Sequence, residues 1–531
     1  MFGGARRATF DPSETLPGAI KSWAEQDPGR PFLRDLTGGS RTYGEVHEHS
    51  LRWADAFRSA GVSPGDNVTV MVRTSILAQE HWLGLGWLRG VYTGVNTDFR
   101  GNSLVYVLAN SRARHMICAS EFLDRLEEIA PRCSTLEVVI VPDADSSDLP
   151  ARFPFRLVGA GELWESARVA EGLPVPQRHE ISSITYTSGT TGASKSVLVP
   201  WGRLWPEVAW LDLGPDDIYY SPFPVFHLSG LCPMAWLGFP GGQVVLRESF
   251  KTQQFWDDIR RFGCTATALI PVMMNWLLDQ APRPDDLDNP LRVVSGAPIV
   301  PRVDQFKKRF GVEMRTVYST TEVGMPLYAG PDVSADRVST GKWCAPGFEA
   351  RVVDEHDYEV PHDQIGELLV RSREPWRMLA GYFGMPEKSA EAWRNGWFHT
   401  GDGFVQDDDG HYHFVDRITD SLRRRGENIA SMEVEAYVNE HPSVAETAAI
   451  GVPSEYGEDE VKVCVVLHEG HDLPPAELHA FLSARMPAFM VPRYIEYLDN
   501  PERTEAMKRI KKPPLREHPL NDRTWDAERD H

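Results

Sequence analysis

The segment from residue 186 to residue 197 reads YTSGTTGASKSV and concentrates groups that bind phosphate. Its glycines leave backbone N–H groups accessible, its hydroxyls are short donors, and its one lysine is a mobile cation. A loop of this composition suits phosphate oxygens, with a solvated surface turn as the alternative. The candidate phosphate-binding residues are Thr187, Ser188, Gly189, Thr190, Thr191, Gly192 and Lys195.

Part of this segment, GTTGASKS from Gly189 to Ser196, differs by one residue from the nucleotide-binding pattern G-x-x-x-x-G-K-[ST]. Ser194 stands where that pattern has its second glycine. A Walker-type NTPase would also need an acidic strand that holds magnesium. The missing glycine and the ordered motifs farther along the chain disfavour this interpretation.

Alternating helices and strands must position the loop. Apolar residues at helical spacing in TYGEVHEHSLRWADAFRSAGV predict a helix that ends at Gly61, and GDNVTVMV predicts a strand after it. Similar helix-then-strand units recur around 112–121, 256–268 and 303–317. This alternation predicts parallel sheets with helices on both faces. The uncharged stretch 219–246 is long enough to span a bilayer, but its prolines and glycines predict a buried core segment instead.

The pattern changes near the C-terminus. HTGDGFVQDDDGHYHFVDR, from His399 to Arg417, predicts a β-hairpin with the turn DDDG. The following residues predict a helix at 431–441, strands at 446–451 and 460–468, and a helix at 475–485. A boundary near Thr419 therefore divides the chain into an N-terminal domain, 1–418, and a C-terminal domain, 419–531, of ordinary small-domain size.

Composition excludes several classes of protein. The 531 residues carry 55 basic and 76 acidic side chains, and the net charge of -21 disfavours non-specific binding of nucleic acid or anionic membranes. Six cysteines lie far apart, so neither a zinc site nor a disulfide framework is predicted, and reduced thiols in a cytoplasmic protein are expected. The start, MFGGARRATFDPSETLPG, has no apolar region and predicts no secretory signal.

Four further segments follow the loop in order: SPFPVFHLSG, YSTTE, HTGD and VDRITDSLRRRGENIASMEVE. With the loop, they resemble the motifs of the adenylate-forming superfamily, which includes acyl-CoA synthetases, luciferases and peptide-synthetase adenylation domains. The usual loop is Y-T-S-G-T-T-G-x-P-K-G-V, and here Ser194 and Ser196 replace its proline and its last glycine. The GENIAS segment most resembles the carnitine/crotonobetaine-type acyl-CoA ligase branch. The resemblance covers nearly the whole chain.

The resemblance implies an α/β multi-domain fold. Its N-terminal domain would hold two α/β sheets plus a β-barrel, and its small α+β C-terminal domain would be a mobile lid. The lid would rotate about a hinge at Thr419, and adenylation and thioester formation would use its opposite faces.

The resemblance also implies roles for single residues. Tyr318 would stack on adenine, Glu322 and Thr190 would bind magnesium, and Asp402 would accept hydrogen bonds from ribose. His227 would lie beside the carboxylate pocket. Further nucleotide- or coenzyme-binding positions would be Gly296, Ala297, Pro298, Ser319, Thr321, Arg417, Arg423 and Gly426. The run from Arg423 to Arg425 would meet the phosphates of coenzyme A, with a solvated basic face as the alternative.

The family's C-terminal motif, P-x-T-x-T-G-K-I-x-K, is altered in this chain. The corresponding residues read PERTEAMKRIKKPPLRE, in which Lys508 aligns with the family's catalytic lysine while Ala506 and Met507 replace its threonine and glycine. Lys511 or Lys512 are alternatives for that lysine, and a flexible basic tail is the structural alternative.

The resemblance therefore predicts an AMP-forming ligase that uses ATP and Mg²⁺ to join a small-molecule carboxylic acid to AMP and then transfers the acyl group to coenzyme A. Its catalytic groups would be Lys508, His227, Glu322 and Thr190. In the alternatives, the acceptor is an amine or a carrier-protein thiol, or the enzyme activates nitrite for diazotisation of an aryl amine. A non-catalytic adenylate-binding protein is disfavoured by the retained Lys195, Glu322 and Asp402. No nucleic-acid partner and no integral membrane association are expected.

Overall fold

The computed structural model describes most of the chain, and its contacts divide the chain into two units. The described residues are 15–187, 195–204, 211–297, 302–331, 333, 341, 343–417, 422–424, 427–429, 431–454, 459–486, 490–504 and 509–529. Unit 1 comprises Met1–Thr187, Lys195–Ala350 and Val370–Phe398, and unit 2 comprises Ser188–Ser194, Arg351–Leu369 and His399–His531.

The helices are short and most lie in unit 1. They are α1 Leu16–Gln26, α2 Tyr43–Ser59, α3 Ile76–Leu88, α4 Gly101–Ser111, α5 Leu123–Ile129, α6 Ala160–Ser166, α7 Leu228–Gly238, α8 Phe255–Phe262, α9 Pro271–Asp279, α10 Val303–Phe310, α11 Pro386–Ala392, α12 Ser431–Asn439, α13 Pro475–Ser483 and α14 Lys512–Glu517. Single 3₁₀ turns occur at Ser120–Phe122, Ala130–Arg132, Ser146–Asp148, Trp201–Leu204 and Arg394–Gly396.

The strands alternate with these helices through the first two thirds of the chain. They are β1 Pro31–Asp35, β2 Ser40–Thr42, β3 Asn67–Met71, β4 Val91–Gly94, β5 His115–Cys118, β6 Val138–Val141, β7 Arg156–Gly159, β8 Ile181–Thr187, β9 Lys195–Pro200, β10 Ile218–Ser221, β11 Gln243–Leu246, β12 Ala266–Leu269, β13 Val293–Gly296, β14 Glu313–Thr320, β15 Gly324–Ala329, β16 Trp343–Cys344, β17 Phe348–Val353, β18 Ile365–Ser372, β19 Gly381–Tyr382, β20 Phe398–Gln406, β21 Tyr412–Arg417, β22 Leu422–Arg424, β23 Glu427–Ile429, β24 Val444–Pro453, β25 Asp459–Leu467, β26 Tyr494–Tyr497 and β27 Trp525–Asp526.

Unit 1 contains the two expected α/β sheets. One has nine strands in the order β16-β15-β14-β13-β12-β10-β11-β1-β2, and the other has eight in the order β19-β9-β8-β4-β3-β5-β6-β7. The central strands of both sheets pair in parallel, whereas strands at the edges, such as β8 with β9 and β14 with β15, pair antiparallel. Parallel strands end at one edge of a sheet, and that edge commonly binds ligands in open α/β sheets.

Local signals explain the helices that flank these sheets. In α2, the Thr42 side chain accepts from the Glu45 N–H and the Glu45 carboxylate accepts from the Thr42 N–H, which is a capping box. Arg58 lies in its last turn, and Val46, Trp53 and Phe57 are buried along one face. The helix and strand predicted here are confirmed.

Two of the three further helix-then-strand units are confirmed, as α8 with β12 and as α10 with β14. The unit predicted at 112–121 is wrong in its order, because that stretch holds strand β5 followed by the start of a 3₁₀ turn, and the preceding helix α4 already ends at Ser111. The uncharged stretch 219–246 forms β10, α7 and β11, all largely buried, and Pro233 lies inside α7. Across the described ranges, no helix combines the length and apolar character needed to cross a membrane. All six cysteines have free thiols, and five are buried.

A four-stranded sheet in the order β17-β18-β20-β21 draws most of its residues from unit 2, and a second four-stranded sheet in the order β24-β25-β26-β27 lies wholly in unit 2. The predicted hairpin is confirmed, because β20 and β21 pair antiparallel and the Gly410 N–H donates to the Asp407 carbonyl within their turn. The predicted C-terminal α+β pattern is confirmed as α12, β24, β25 and α13. The apolar core of this region includes Val438, Val463, Leu478, Leu482 and Ile495.

Candidate active site

The strands β8 and β9 form an antiparallel hairpin around the glycine-rich segment. Thr187 is the register partner of Lys195, so the two residues that flank segment 188–194 in the sequence lie opposite each other. The Tyr186 phenol is buried and donates to the Asn110 side-chain oxygen at 3.0 Å. Burial raises the pKa of Tyr186 well above its ordinary value, so this side chain is a neutral structural anchor.

Several predicted residues in this segment lie outside the described residues. These are Ser188, Gly189, Thr190, Thr191 and Gly192.

Ser196, where the family motif has glycine, has a defined structural role. Its side chain is fully buried, and its hydroxyl donates to the Phe383 carbonyl at 3.0 Å. The Phe383 N–H donates back to the Ser196 carbonyl at 2.8 Å. The departure from the family motif therefore adds a side-chain hydrogen bond that joins β9 to the chain beyond β19.

Lys195 and Glu322 both contact Tyr382, a residue that the sequence did not indicate. The Lys195 Nζ atom lies 5.0 Å from the centre of the Tyr382 ring, within reach of a cation–π interaction. The Tyr382 hydroxyl donates to Glu322 Oε1 at 3.2 Å. The phosphate-loop lysine and the predicted metal-binding carboxylate are thus brought to one tyrosine.

Magnesium requires hard oxygen ligands, and Glu322 fits that requirement. It is half-buried, and the Tyr382 hydroxyl is its one hydrogen-bonding side-chain partner among the described residues. Within the same ranges, no group of three or more His, Cys, Asp or Glu side chains is arranged to hold a metal ion. A single carboxylate suits magnesium that arrives with ATP, because the phosphates and water supply the other ligands.

The YSTTE segment ends β14 at the carboxyl edge of the nine-stranded sheet. Tyr318 is 6% exposed and is the register partner of Leu327, and the pairing shifts between Tyr318 and Thr320. Ser319 is exposed at this irregularity, and its φ is not positive, so its backbone does not require the glycine of the family motif. Thr321 is half-buried directly before Glu322.

The neighbouring strand β13 ends at Gly296 on the same edge. A Cβ atom on Gly296 would lie 2.9 Å from the Met314 Cε atom, so the fit there is close. Ala297 follows it and is half-buried, whereas Pro298 lies outside the described residues.

His227 is the N-cap residue of α7, in extended backbone geometry, and is half-buried. Its N–H donates to the Pro224 carbonyl at 3.1 Å, and the Gly230 N–H donates to its own carbonyl at 3.0 Å. The Gln79 amide of α3 donates to the Gly230 carbonyl at 2.9 Å. His227 thus lies beyond β10, on a tight turn that α3 holds in place.

In unit 2, the HTGD segment is held by a hydrogen-bond network. His399 Nδ1 lies 2.9 Å from Glu367 Oε2, and the Gly401 N–H donates to Glu367 Oε1 at 2.9 Å. The Thr400 hydroxyl accepts from the Asp402 N–H at 3.1 Å. Glu367 therefore fixes the segment that presents Asp402, although the sequence did not single it out.

Asp402 and Arg417 are register partners on β20 and β21, so the two predicted ribose-binding residues occupy opposite positions of one hairpin. Asp402 is 4% exposed. Of Arg417 and Arg423 the structure describes the backbone, in β21 and β22, while Gly426 and the predicted hinge residue Thr419 lie outside the described residues.

Arg424 has a different environment from the predicted phosphate contact. Its side chain is 7% exposed, forms an ion pair with Glu460 at 2.6 Å and donates to the Val491 carbonyl at 2.8 Å. The charge of Arg424 is therefore paired with a carboxylate of the C-terminal region.

The three candidate C-terminal lysines also differ. Lys508 lies outside the described residues. Lys511 is 36% exposed, with its Nζ atom 3.6 Å from the Glu502 carboxylate. Lys512 is 13% exposed and pairs with Glu435 at 2.8 Å. Since Lys512 is buried in an ion pair, Lys508 and Lys511 are the better candidates for contact with a substrate.

Comparison with known proteins agrees with these motifs. The family described as "AMP-binding enzyme" matches residues 20–383, and its C-terminal domain matches residues 433–508. The crotonobetaine/carnitine–CoA ligase of Salmonella heidelberg (strain SL476) is 29% identical over 486 residues, which cover 89% of this chain and 92% of that protein.

Two solved structures extend the comparison to the fold. The anthranilate CoA ligase AuaEII in complex with anthranoyl-AMP superposes with a TM-score of 0.83 and 22% identity, covering 95% of this chain and 97% of the other. The amide bond synthetase McbA from Marinactinospora thermotolerans superposes with a TM-score of 0.77 and 25% identity, covering 95% of this chain and all of the other.

Proposed function

The chain belongs to the AMP-binding enzyme family and is an AMP-forming ligase, and from that premise we propose that it activates a carboxylic acid with ATP and transfers the acyl group to coenzyme A. The observation that carries the proposal is that Lys195, which directly follows the glycine-rich segment in the sequence, and Glu322 both contact Tyr382. A cation and a hard carboxylate at one place suit a polyphosphate. The crotonobetaine/carnitine–CoA ligases, similar over most of the chain, support coenzyme A as acceptor.

A carboxylate is a poor electrophile because its oxygen is a poor leaving group. Attack of the carboxylate oxygen on the α-phosphorus of ATP forms the acyl–AMP anhydride and releases pyrophosphate. Negative charge develops on the phosphate oxygens in this step, and preorganised donors and cations lower its barrier. Magnesium, when bound with ATP, neutralises part of the phosphate charge.

The chain's own residues would bind the substrates and position the reacting groups. Lys195 and the hydroxyls of the glycine-rich segment would bind the phosphates, and Glu322 with Thr190 would hold magnesium. His227 would orient the acid, Asp402 and Arg417 would hold ribose, and Lys508 would reach the reacting α-phosphate. The thiol of coenzyme A would then attack the acyl carbon and expel AMP, and no covalent protein intermediate is needed.

An amine acceptor is the second candidate. The amide bond synthetase McbA is 25% identical, and the match covers 95% of this chain. With an amine, the same acyl-adenylate would be attacked by nitrogen and AMP would again leave.

The decisive experiment measures ATP-dependent pyrophosphate release with a panel of carboxylic acids and nitrite. Coenzyme A and amines are then added in separate reactions, and the products are identified by mass spectrometry. Pyrophosphate release that depends on a carboxylic acid, with a thioester formed on addition of coenzyme A, is expected. An amide in place of the thioester would favour the second candidate, and absence of pyrophosphate release with every acid would reject the proposal.

A further inference from the structure

Tyr382 connects Lys195, the first residue of β9, with Glu322, which lies in the turn between β14 and β15. Its hydroxyl donates to Glu322 Oε1 at 3.2 Å, and the Lys195 ammonium lies 5.0 Å from the centre of its ring. Tyr382 itself is 5% exposed. We propose that Tyr382 is a positioning residue that orients the Glu322 carboxylate and the Lys195 ammonium toward one bound nucleotide, an inference that rests on the proposed function.

The chemistry of a phenol suits this task. Its hydroxyl restrains one carboxylate oxygen of Glu322, while Glu322 Oε2 has no hydrogen-bonding partner among the described residues. The face of its ring attracts a cation without neutralising its charge. A direct ion pair between Lys195 and Glu322 would instead neutralise both charges, and no ion pair joins these two side chains among the described residues. Both groups are therefore held in place with their charges available for a ligand.

The backbone around Tyr382 reinforces the connection. The Leu379 N–H donates to the Glu322 carbonyl at 2.8 Å, and the Ala380 N–H donates to the Leu198 carbonyl at 2.9 Å. Tyr382 is the register partner of Val197, and its own N–H donates to the Ser389 hydroxyl at 2.8 Å. The segment 379–383 thus bonds on one side to Glu322 and on the other to the strand that carries Lys195.

The test distinguishes the contribution of the Tyr382 hydroxyl from that of its ring. Tyr382→Phe keeps the ring and removes only the donor to Glu322, whereas Tyr382→Leu removes both. Binding of a non-hydrolysable ATP analogue is measured by calorimetry over a range of Mg²⁺ concentrations, and Mn²⁺ binding in the same complex is followed by electron paramagnetic resonance.

We expect Tyr382→Phe to raise the Mg²⁺ concentration at half-maximal binding roughly tenfold, as for loss of a hydrogen bond to a charged group. Its binding of the analogue without metal should be unchanged. Tyr382→Leu should weaken binding without metal as well, because Lys195 loses the ring beneath it.

Tyr220→Phe is the matched control. It removes another buried phenol hydroxyl of unit 1, one that donates to Asp258 at 2.9 Å, and should leave the Mg²⁺ requirement unchanged. In an E322Q background, Tyr382→Phe should add no further effect on the metal requirement, because contacting groups are not additive. A wild-type Mg²⁺ requirement in folded Tyr382→Phe would overturn the inference.

The outcomes also distinguish this inference from the proposed function. An unchanged Mg²⁺ requirement with normal acid-dependent pyrophosphate release would reject the role of Tyr382 alone. A shifted requirement in a protein that releases no pyrophosphate with any acid would reject the proposed reaction and retain the role of Tyr382. If the wild-type protein binds no ATP analogue, both are rejected.

Discussion

The strand that begins with Lys195 and the residues that flank Lys508 are anchored in different ways within their two units. In unit 1, β9 is paired along its length with β8 and also pairs with β19, so Lys195 starts a strand with a partner on each side. The buried Ser196 hydroxyl adds one more bond to Phe383. Most of this anchoring comes from backbone hydrogen bonds, which do not depend on the identity of any one side chain.

In unit 2, the residues on either side of segment 505–508 are held by fewer contacts. An isolated antiparallel bridge joins Arg503 to Ile510, and the Arg509 N–H donates to the Thr504 hydroxyl at 3.0 Å. The Glu446 carboxylate pairs with the Arg503 guanidinium and accepts from the Ile510 N–H at 2.9 Å. Two backbone hydrogen bonds also join the two sides, from the Thr504 N–H to the Arg509 carbonyl at 2.6 Å and from the Lys511 N–H to the Glu502 carbonyl at 2.8 Å. Beyond this short backbone pairing, both sides contact one carboxylate, which is 25% exposed. The comparison predicts that substitution of a contacting side chain lowers adenylation more around segment 505–508 than at β9.

The largest effect should come from Glu322, whose carboxylate would act directly on the metal nucleotide. Glu322→Ala should lower adenylate formation roughly a hundredfold to a thousandfold, by analogy with removal of one transition-state contact. Its thermal midpoint should stay near that of the wild type, since the side chain is half-buried and bonds only to Tyr382 among the described residues. Pyrophosphate release at the wild-type rate would contradict the assignment.

Lys508→Ala should raise the activation barrier of adenylation by about 3 kcal/mol, which lowers its rate roughly a hundredfold. A cation at the α-phosphate matters only while the anhydride forms. The variant should therefore still convert a chemically supplied acyl-adenylate to the thioester when coenzyme A is added. Stopped-flow assays of the two half-reactions check this separation.

Lys511→Ala is the control for Lys508, because its ammonium lies 3.6 Å from Glu502 in the same stretch of unit 2. It should behave like the wild type in both half-reactions. If Lys511→Ala instead loses adenylation while Lys508→Ala keeps it, Lys511 rather than Lys508 corresponds to the catalytic lysine of the family motif.

Glu446→Ala tests the side-chain contacts that hold the residues on either side of segment 505–508. It removes the acceptor of the Ile510 N–H and the partner of Arg503, so adenylation should fall roughly tenfold, equivalent to about 1.4 kcal/mol, while the second half-reaction is spared. Glu446→Gln keeps an acceptor oxygen and should lose only about threefold, since a neutral hydrogen bond is weaker than a charge-assisted one.

Glu502→Gln is the matched control, because Glu502 is 70% exposed and, within the described part of the chain, its carboxylate pairs with Lys511 alone. Surface pairs of this kind contribute little, and adenylation should change less than about twofold. Equal losses in Glu446→Ala and Glu502→Gln would argue against a special role for Glu446.

The elements were predictable because their signals are local. The apolar spacing of α2, the turn between β20 and β21 and the alternation of α10 with β14 each lie within a few consecutive residues. The motif residues were also identifiable, and the structure places Lys195 and Glu322 on one tyrosine and Asp402 opposite Arg417.

The supporting residues were not predictable in the same way. Tyr382 contacts Glu322 across 60 residues of chain, and Glu446 contacts Ile510 across 64. In the sequence, each is a single tyrosine or glutamate in a strand, where a packed aromatic ring or a solvated carboxylate is the ordinary expectation. The pairing of β9 with β19 brings Tyr382 to the strand of Lys195, and the contacts of Glu446 with Arg503 and Ile510 bring it to the residues that flank segment 505–508.

At Ser196 we expect a small effect on stability and almost none on adenylation. Ser196→Ala removes one buried hydroxyl but keeps the Phe383 N–H bond to the backbone carbonyl of residue 196. Loss of such a hydrogen bond costs about 1 kcal/mol, which in a unit of this size lowers the thermal midpoint by roughly 1 to 3 °C. Ser196→Gly, which restores the family's glycine, should be less stable than Ser196→Ala because glycine loses more backbone entropy in a strand.

In both variants adenylation should stay within about twofold of the wild type, since β8 and β19 still position Lys195 through the backbone. Differential scanning calorimetry and pyrophosphate release measure the two effects separately. A tenfold loss of adenylation in Ser196→Ala would show that this hydroxyl positions the lysine as strongly as Glu446 holds its hairpin, and the contrast between backbone and side-chain anchoring would then be wrong.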